Sequence, residues 1–238
     1  MFKPRFAICV DGGFIQKVLW ARHRRFPTAK DILDECDRIV AHEAVKDCDL
    51  LRIYYYDAPA AQGVLINPID ASELDLQASD RTQAAMRLQN ELASAPNLAL
   101  RMGDVRIGGW QVRESAMDKL TRAPRALTAN DLKPNLRQKG VDIRIGLDIA
   151  RLSLNDTVRS LVVVTADTDF VPAFKFARRE GIKVYLDSLG KRVLPALIEH
   201  SDLRLSEIPT HDEVKRERQR RRRQRVRERR ETSATEAE

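Results

Sequence analysis

Cysteine is scarce in this 238-residue chain: Cys9, Cys36 and Cys48 form no CxxC or other metal-ligand spacing. An odd, sparse set excludes a disulfide-built scaffold and suits a reducing compartment, so a cytoplasmic setting is expected. Histidine is nearly as thin. His23, His42, His200 and His211 stand at no ligand spacing and are assigned no role. No apolar run approaches the length of a membrane span, so no membrane partner is expected. The opening MFKPRFAICVDGG has too short an apolar stretch, broken by Asp11, to read as a secretory signal peptide. What is present, 43% hydrophobic and 32% charged residues, suits a globular domain with a real core.

The formal charge of +7 favours a polyanionic partner, but it is unevenly placed. The segment from Lys215 to Arg230, KRERQRRRRQRVRERR, carries eleven basic residues against Glu217 and Glu228, a balance of +9, which leaves −2 for everything else. With Val226 as its one apolar residue it cannot bury a face, so it reads as a solvated helix, a disordered tail, or an arm that orders on a polyanion. Two units are therefore expected, a globular domain over 1–209 and an arginine-rich tail over 210–238.

Within the domain, strand-like and helix-like runs alternate. RFAICV (5–10) leads into Asp11-Gly12-Gly13 and a helical FIQKVLWARHR. A second helix is predicted from Asp31 to Asp47, then a strand ending at Asp57, and a helix near Asp80 to Ala93. LALRMGDVRIGGWQV supplies one or two strands, and residues 113–139 read as a long basic connection. A helix from Val141 to Leu154, the strand LVVVT (161–165), a helix from Phe170 to Glu180 and the strand KVYL (183–186) complete an α/β domain with a mostly parallel sheet.

Ligands of an open parallel sheet bind beyond the carboxyl ends of its strands. Three strands here end in aspartate: Asp11, Asp57, and Asp167 with Asp169. Each has a purely structural alternative, a turn residue at Asp11 or Asp57 and a helix cap at Asp169. Two further acids lie on the helix beginning at Val141. Asp142 occupies its first turn, where capping is the alternative, and at about 100° per residue Asp148 falls in the stripe of Val141, Ile145 and Leu152. A buried carboxylate needs a cationic partner, backbone donors or a metal network. If Asp11, Asp142, Asp167 and Asp169 converge, a cation or protonation must relieve their repulsion. Carboxylates alone, without Cys or His, select Mg²⁺ or Mn²⁺, one ion or two. Such ions serve metal-dependent nucleases by activating water and neutralising charge on a phosphodiester.

The segments FAICVDGGFI (6–15), RIYYYDAP (52–59), QKGVDIRIGLDIARL (138–152) and VVVTADTDFVPAFKFARREG (162–181) resemble, in the same order, the NYN domains of the PIN-like nuclease superfamily, in their LabA-like branch. The resemblance implies a Rossmann-type three-layer α/β fold and metal-dependent cleavage of RNA. It implies metal carboxylates at Asp11, Asp142, Asp167 and Asp169, with Asp148 close behind. Thr165-Ala166 stands where family members often carry Ser-Gly, and Thr165 keeps a hydroxyl that can orient a water or a carboxylate. Gly13-Phe14 stands where many carry an Asn.

From Arg101 to Lys139 nine basic residues face four acidic ones. Lys139, then Arg137, Arg122 and Arg125, are the candidates for holding a phosphate backbone of single-stranded RNA, a solvated loop being the alternative. Trp110 could stack on a base or pack on the domain. Rival functions are a catalytically inert RNA-binding or adaptor module and a haloacid dehalogenase-type phosphatase, suggested by D-T-D-F-V at 167–171. The second rival normally carries that motif on its first strand and leaves Asp11 unexplained. Homo-oligomerisation is left open.

Overall fold

The computed structural model describes residues 3–206. The tail expected over 210–238, and the domain end expected near 209, lie outside the described residues. In chain order the elements are β1 (Arg5–Asp11), α1 (Gly12–His23), α2 (Ala29–Val40), β2 (Asp49–Asp57), β3 (Val64–Ile66), β4 (Glu73–Asp75), α3 (Asp80–Ala93), β5 (Leu98–Met102), β6 (Asp104–Val112), α4 (Glu114–Arg122), β7 (Leu132–Lys139), α5 (Val141–Leu154), β8 (Ser160–Val164), α6 (Val171–Arg179), β9 (Lys183–Asp187), α7 (Pro195–Glu199) and β10 (Leu203–Arg204).

Six strands form one sheet in the order β10-β9-β8-β1-β2-β5, and every pairing in it is parallel. Strand alternation divides the core in two. Phe6, Ile8, Val10, Ile53, Tyr55, Val162 and Val164 point to one face and pack with Ile15, Leu19, Ile32, Ile39, Leu88 and Leu92 of α1, α2 and α3. Ala7, Cys9, Tyr54, Tyr56, Leu161, Val163 and Val184 point to the other and pack with Ile145, Ile149, Phe174 and Leu197 of α5, α6 and α7. A strand buried on both sides must be apolar at successive positions, which is why LVVV reads so strongly as a strand. Burial also pushes the Cys9 and Cys36 thiols up to about 12, so both stay neutral members of this core. The three-layer α/β arrangement matches the expected architecture.

Three expectations need correction. The helix predicted to Asp47 stops at Val40, and residues 41–48 form successive turns closed by Val45 and Cys48 amides donating to His42 and Val45 carbonyls. Residues 113–139 are no mere connection: they hold α4 and β7, and β7 pairs antiparallel with β6 in a two-stranded ribbon. The helix predicted from Phe170 begins at Val171, after a single 3-10 turn over Thr168–Phe170.

Candidate active site at the carboxyl edge of the sheet

β1 is the switch point of the sheet. The chain moves outward through β2 and β5 on one side of it and through β8, β9 and β10 on the other. The helix after β1 covers one face, and the helix after β8 covers the opposite face. Such a divergence opens a crevice at the carboxyl ends of the two strands, the usual ligand position in this architecture. Asp11 ends β1 and Thr165 follows β8, so both border that crevice.

Asp11 caps α1, one carboxylate oxygen accepting the Phe14 amide at 3.0 Å. The cap is compact because Gly12 follows: a Cβ there would lie 2.5 Å from the Tyr56 carbonyl oxygen and 3.0 Å from the Tyr55 ring. The other Asp11 oxygen accepts the Thr165 hydroxyl at 3.2 Å, spanning the crevice. Thr165 is fully buried, and its Oγ accepts the Asp167 amide at 3.1 Å. Asp167 in turn accepts the Asp169 amide at 2.9 Å. One hydrogen-bonded string thus joins Asp11, Thr165, Asp167 and Asp169. Asp11 is half-buried, whereas Asp142, Asp167 and Asp169 are exposed at the rim.

Asp142 enters from α5. The cap of that helix is Gly140, held at φ 74°, and it makes no side-chain cap bond; the capping alternative for Asp142 therefore falls away. Its carboxyl is pushed above the ordinary value by burial first and then by the charges of Asp167 and Asp169. Burial likewise pushes Asp11 up, the Phe14 amide and Thr165 hydroxyl pull it back, and the charges of Asp142 and Asp167 push it further. The four carboxylates therefore share one electrostatic neighbourhood. Among the described residues none of the four forms an ion pair. All-oxygen donors that repel one another fit a hard divalent cation. Among the described residues no three such side chains are gathered into a closed ligand cluster, so the carboxylates would have to turn inward around an ion.

Asp148 has a different occupation. One oxygen accepts the Tyr56 hydroxyl at 3.1 Å and Arg101 Nε at 3.0 Å, and the other accepts Arg151 Nε at 3.3 Å. The core-facing carboxylate predicted from the helical stripe is neutralised by two arginines.

Two further acids at the same edge are structural. Asp187 ends β9 with a fully buried side chain and is ion-paired to Arg38 of α2. Asp57 ends β2 almost fully buried. It accepts the side-chain amides of Gln16 at 2.9 Å, Gln89 at 3.0 Å and Gln138 at 3.4 Å, and the Ala58 amide at 2.8 Å. Burial pushes its carboxyl up and these donors hold it down. Asp57 was legible as a strand ending, but residues 16, 89 and 138 form no sequence pattern with it and glutamine has no spacing signature, so its partners were not.

The candidate phosphate contacts scatter. Lys139 and Arg137 lie exposed on β7, and Arg122 is exposed at the end of α4. Arg125 is committed within the protein, its two terminal nitrogens 2.6 and 2.7 Å from the two oxygens of Asp131. Trp110 is half-buried and donates its ring N–H to the Ile66 carbonyl at 2.8 Å, which ties the ribbon to β3.

An uncharacterized protein of Methanocaldococcus jannaschii is 32% identical over 82 residues, 34% of this chain, and the match spans 33% of that relative's length. A protein of unknown function from Vibrio parahaemolyticus has a solved structure that aligns over 85% of this chain and 92% of its own, at 13% identity and a TM-score of 0.47. The span from β5 to β10, which carries Asp142, Thr165, Asp167 and Asp169 and leaves Asp11 outside, coincides with the family match: residues 99–203 match the NYN domain, of the PIN-like nuclease superfamily.

Proposed function

We propose that the chain is a divalent-metal-dependent ribonuclease of the LabA-like kind, acting on RNA phosphodiesters in the cytoplasm. The observation that supports this reading is that Asp11, Asp142, Asp167 and Asp169 lie within one another's electrostatic reach at the switch-point crevice, three of them linked through Thr165, without a described arginine or lysine to neutralise them. Those four residues would hold Mg²⁺ or Mn²⁺. A cation bound there supplies a water activated for attack and charge to offset the phosphodiester. Thr165 positions: its hydroxyl donates to Asp11 while its oxygen accepts the Asp167 amide, so the carboxylates from β1 and from the loop after β8 keep one spacing. The Phe14 amide fixes the second Asp11 oxygen and limits rotation of the carboxylate. Lys139, Arg137 and Arg122 hold the phosphate backbone.

A second reading, an inert RNA-binding module, draws on the open arrangement of the acids among the described residues. Incubation of the full chain with end-labelled single-stranded RNA, in Mn²⁺ or in EDTA, separates the two. The ribonuclease reading predicts cleavage in Mn²⁺ and none in EDTA. Binding without cleavage in either buffer establishes the inert module, and cleavage that survives EDTA removes the metal from the account.

A further inference from the structure

The β6–β7 ribbon starts at the carboxyl edge of the sheet, where the Gly103 amide donates to the Asp57 carbonyl at 2.7 Å. Over Asp104–Ile107 and Leu136–Lys139 its pairing is regular, with Asp104 opposite Lys139, Val105 opposite Gln138, Arg106 opposite Arg137 and Ile107 opposite Leu136. Alternation sorts these pairs onto two faces. Gln138 reaches Asp57 at 3.4 Å, so the base of its face, with half-buried Val105, approaches the sheet, while Ile107 and Leu136 farther along that face are exposed. Arg106, Arg137 and Lys139 occupy the other face, and all three are exposed.

Like charges directly opposite one another destabilise a strand pair, yet Arg106 and Arg137 are cross-strand partners. Among the described residues no ion pair compensates them. Arg137 donates to Asn135 Oδ1 at 3.3 Å, and among the described residues neither arginine nor Lys139 forms an ion pair. Asp104, the cross-strand partner of Lys139, is the acid on this face, and among the described residues it forms an ion pair with none of the three. Arginines with structural duties in this molecule look different: Arg101 and Arg151 bind Asp148, and Arg125 binds Asp131.

We propose that this outer face, with Arg106 and Arg137 at its centre and Lys139 at its base, is a binding site for the phosphate backbone of single-stranded RNA, leading the strand toward the carboxylates. The inference rests on the reading of RNA as substrate. Lys139 stands three residues before Asp142, at the end of the ribbon next to the crevice. Residues on one face of a strand recur about every 7 Å, a step of the order separating successive phosphates of an extended strand. The guanidinium fork matches a phosphate's paired oxygens and stays charged at any working pH.

The test uses the full chain, fluorescein-labelled single-stranded RNA of mixed sequence, and EDTA to suppress cleavage. Anisotropy titrations across a salt series give the slope of log affinity against log salt. Each lost phosphate contact lowers that slope by about 0.7 for a single strand, so Arg106→Ala with Arg137→Ala lowers it by about 1.4. Arg106→Lys with Arg137→Lys keeps the slope. Arg5→Ala, at the opposite end of the sheet, leaves it unchanged. Because the alanine pair removes a repulsion, its melting temperature does not fall. An unchanged slope in the alanine pair, or an equal loss in Arg5→Ala, overturns the site. A lowered slope in a protein that never cleaves RNA in Mn²⁺ keeps the site and removes the catalytic reading. Cleavage with an unchanged slope does the reverse.

Discussion

Arg38→Ala probes the division of labour among the acids at the sheet edge. Asp187 has a fully buried side chain whose charge is matched by Arg38, itself 40% exposed. Truncating Arg38 leaves a buried carboxylate whose remaining hydrogen-bond donor among the described residues is the Leu189 amide, at 2.9 Å. Removing one partner of a buried ion pair costs about 3–5 kcal/mol. The exposed stem of Arg38 lets water reach the gap, which places the loss near the bottom of that range, about 3 kcal/mol. For a domain of this size that corresponds to a fall of about 6–12 °C in melting temperature. Urea unfolding followed by far-UV circular dichroism measures it, with unchanged m-value as the sign that the unfolded state is not involved. Adding Asp187→Asn to Arg38→Ala removes the orphaned charge and recovers about 1 kcal/mol or more. A loss below about 0.5 kcal/mol for Arg38→Ala, the level of an ordinary surface change, refutes the assignment of Asp187 to structure.

Asp11→Asn acts in the opposite direction. The folded-state pKa of Asp11 is raised, so the stability associated with this group is fully present below its unfolded value and is lost as pH rises through the folded value. An asparagine in its place avoids that loss, its single carbonyl oxygen still accepting the Phe14 amide while its NH2 can only donate toward Thr165; in EDTA the Asp11→Asn protein melts higher than wild type at pH 7, and the gain vanishes below about pH 3.8, the ordinary carboxylate value. A lower melting temperature at pH 7 contradicts this. Gly12→Ala forces a Cβ to within 2.5 Å of the Tyr56 carbonyl, and overpacking of this kind costs about 1–3 kcal/mol; urea unfolding reads it, and a neutral result shows that the strand end yields freely. Deleting the chain after Pro209 removes the +9 segment, which weakens RNA binding and flattens its salt dependence while leaving metal-dependent cleavage in place. An unchanged slope shows that the tail is not a nucleic-acid arm.

Much of this was legible because burial writes itself into the chain. α3 and α5 begin and end where their periodicity and flanks place them, Asp80–Ala93 and Val141–Leu154. LVVV reads as a strand because both faces are covered. The ribbon was hidden for the converse reason. β7, LKPNLRQK, has an internal proline and mostly exposed or half-exposed positions, so it carries no hydrophobic period. Asp148 could be placed toward the core by helix geometry, but its partner Arg101 comes from a strand 47 residues earlier, a pairing that only the sheet topology reveals. Asp11, Asp57, Asp167 and Asp169 were visible as strand endings, whereas Asp187, at the end of β9, was passed over. Which of the acids were structural was not visible, because Arg38 and the three glutamines around Asp57 are distant in sequence from the carboxylates they satisfy.

The central claim is that the unpaired acids of the switch-point crevice, and not the paired ones, support chemistry on RNA. Single-turnover cleavage of labelled single-stranded RNA in Mn²⁺ by wild type, Asp11→Asn and Asp167→Asn tests it directly, with folding of each variant checked by circular dichroism. The account predicts cleavage by the wild type and a loss of at least about a hundredfold in each variant, the scale of a missing catalytic group. Folded variants that cleave at the wild-type rate would contradict it.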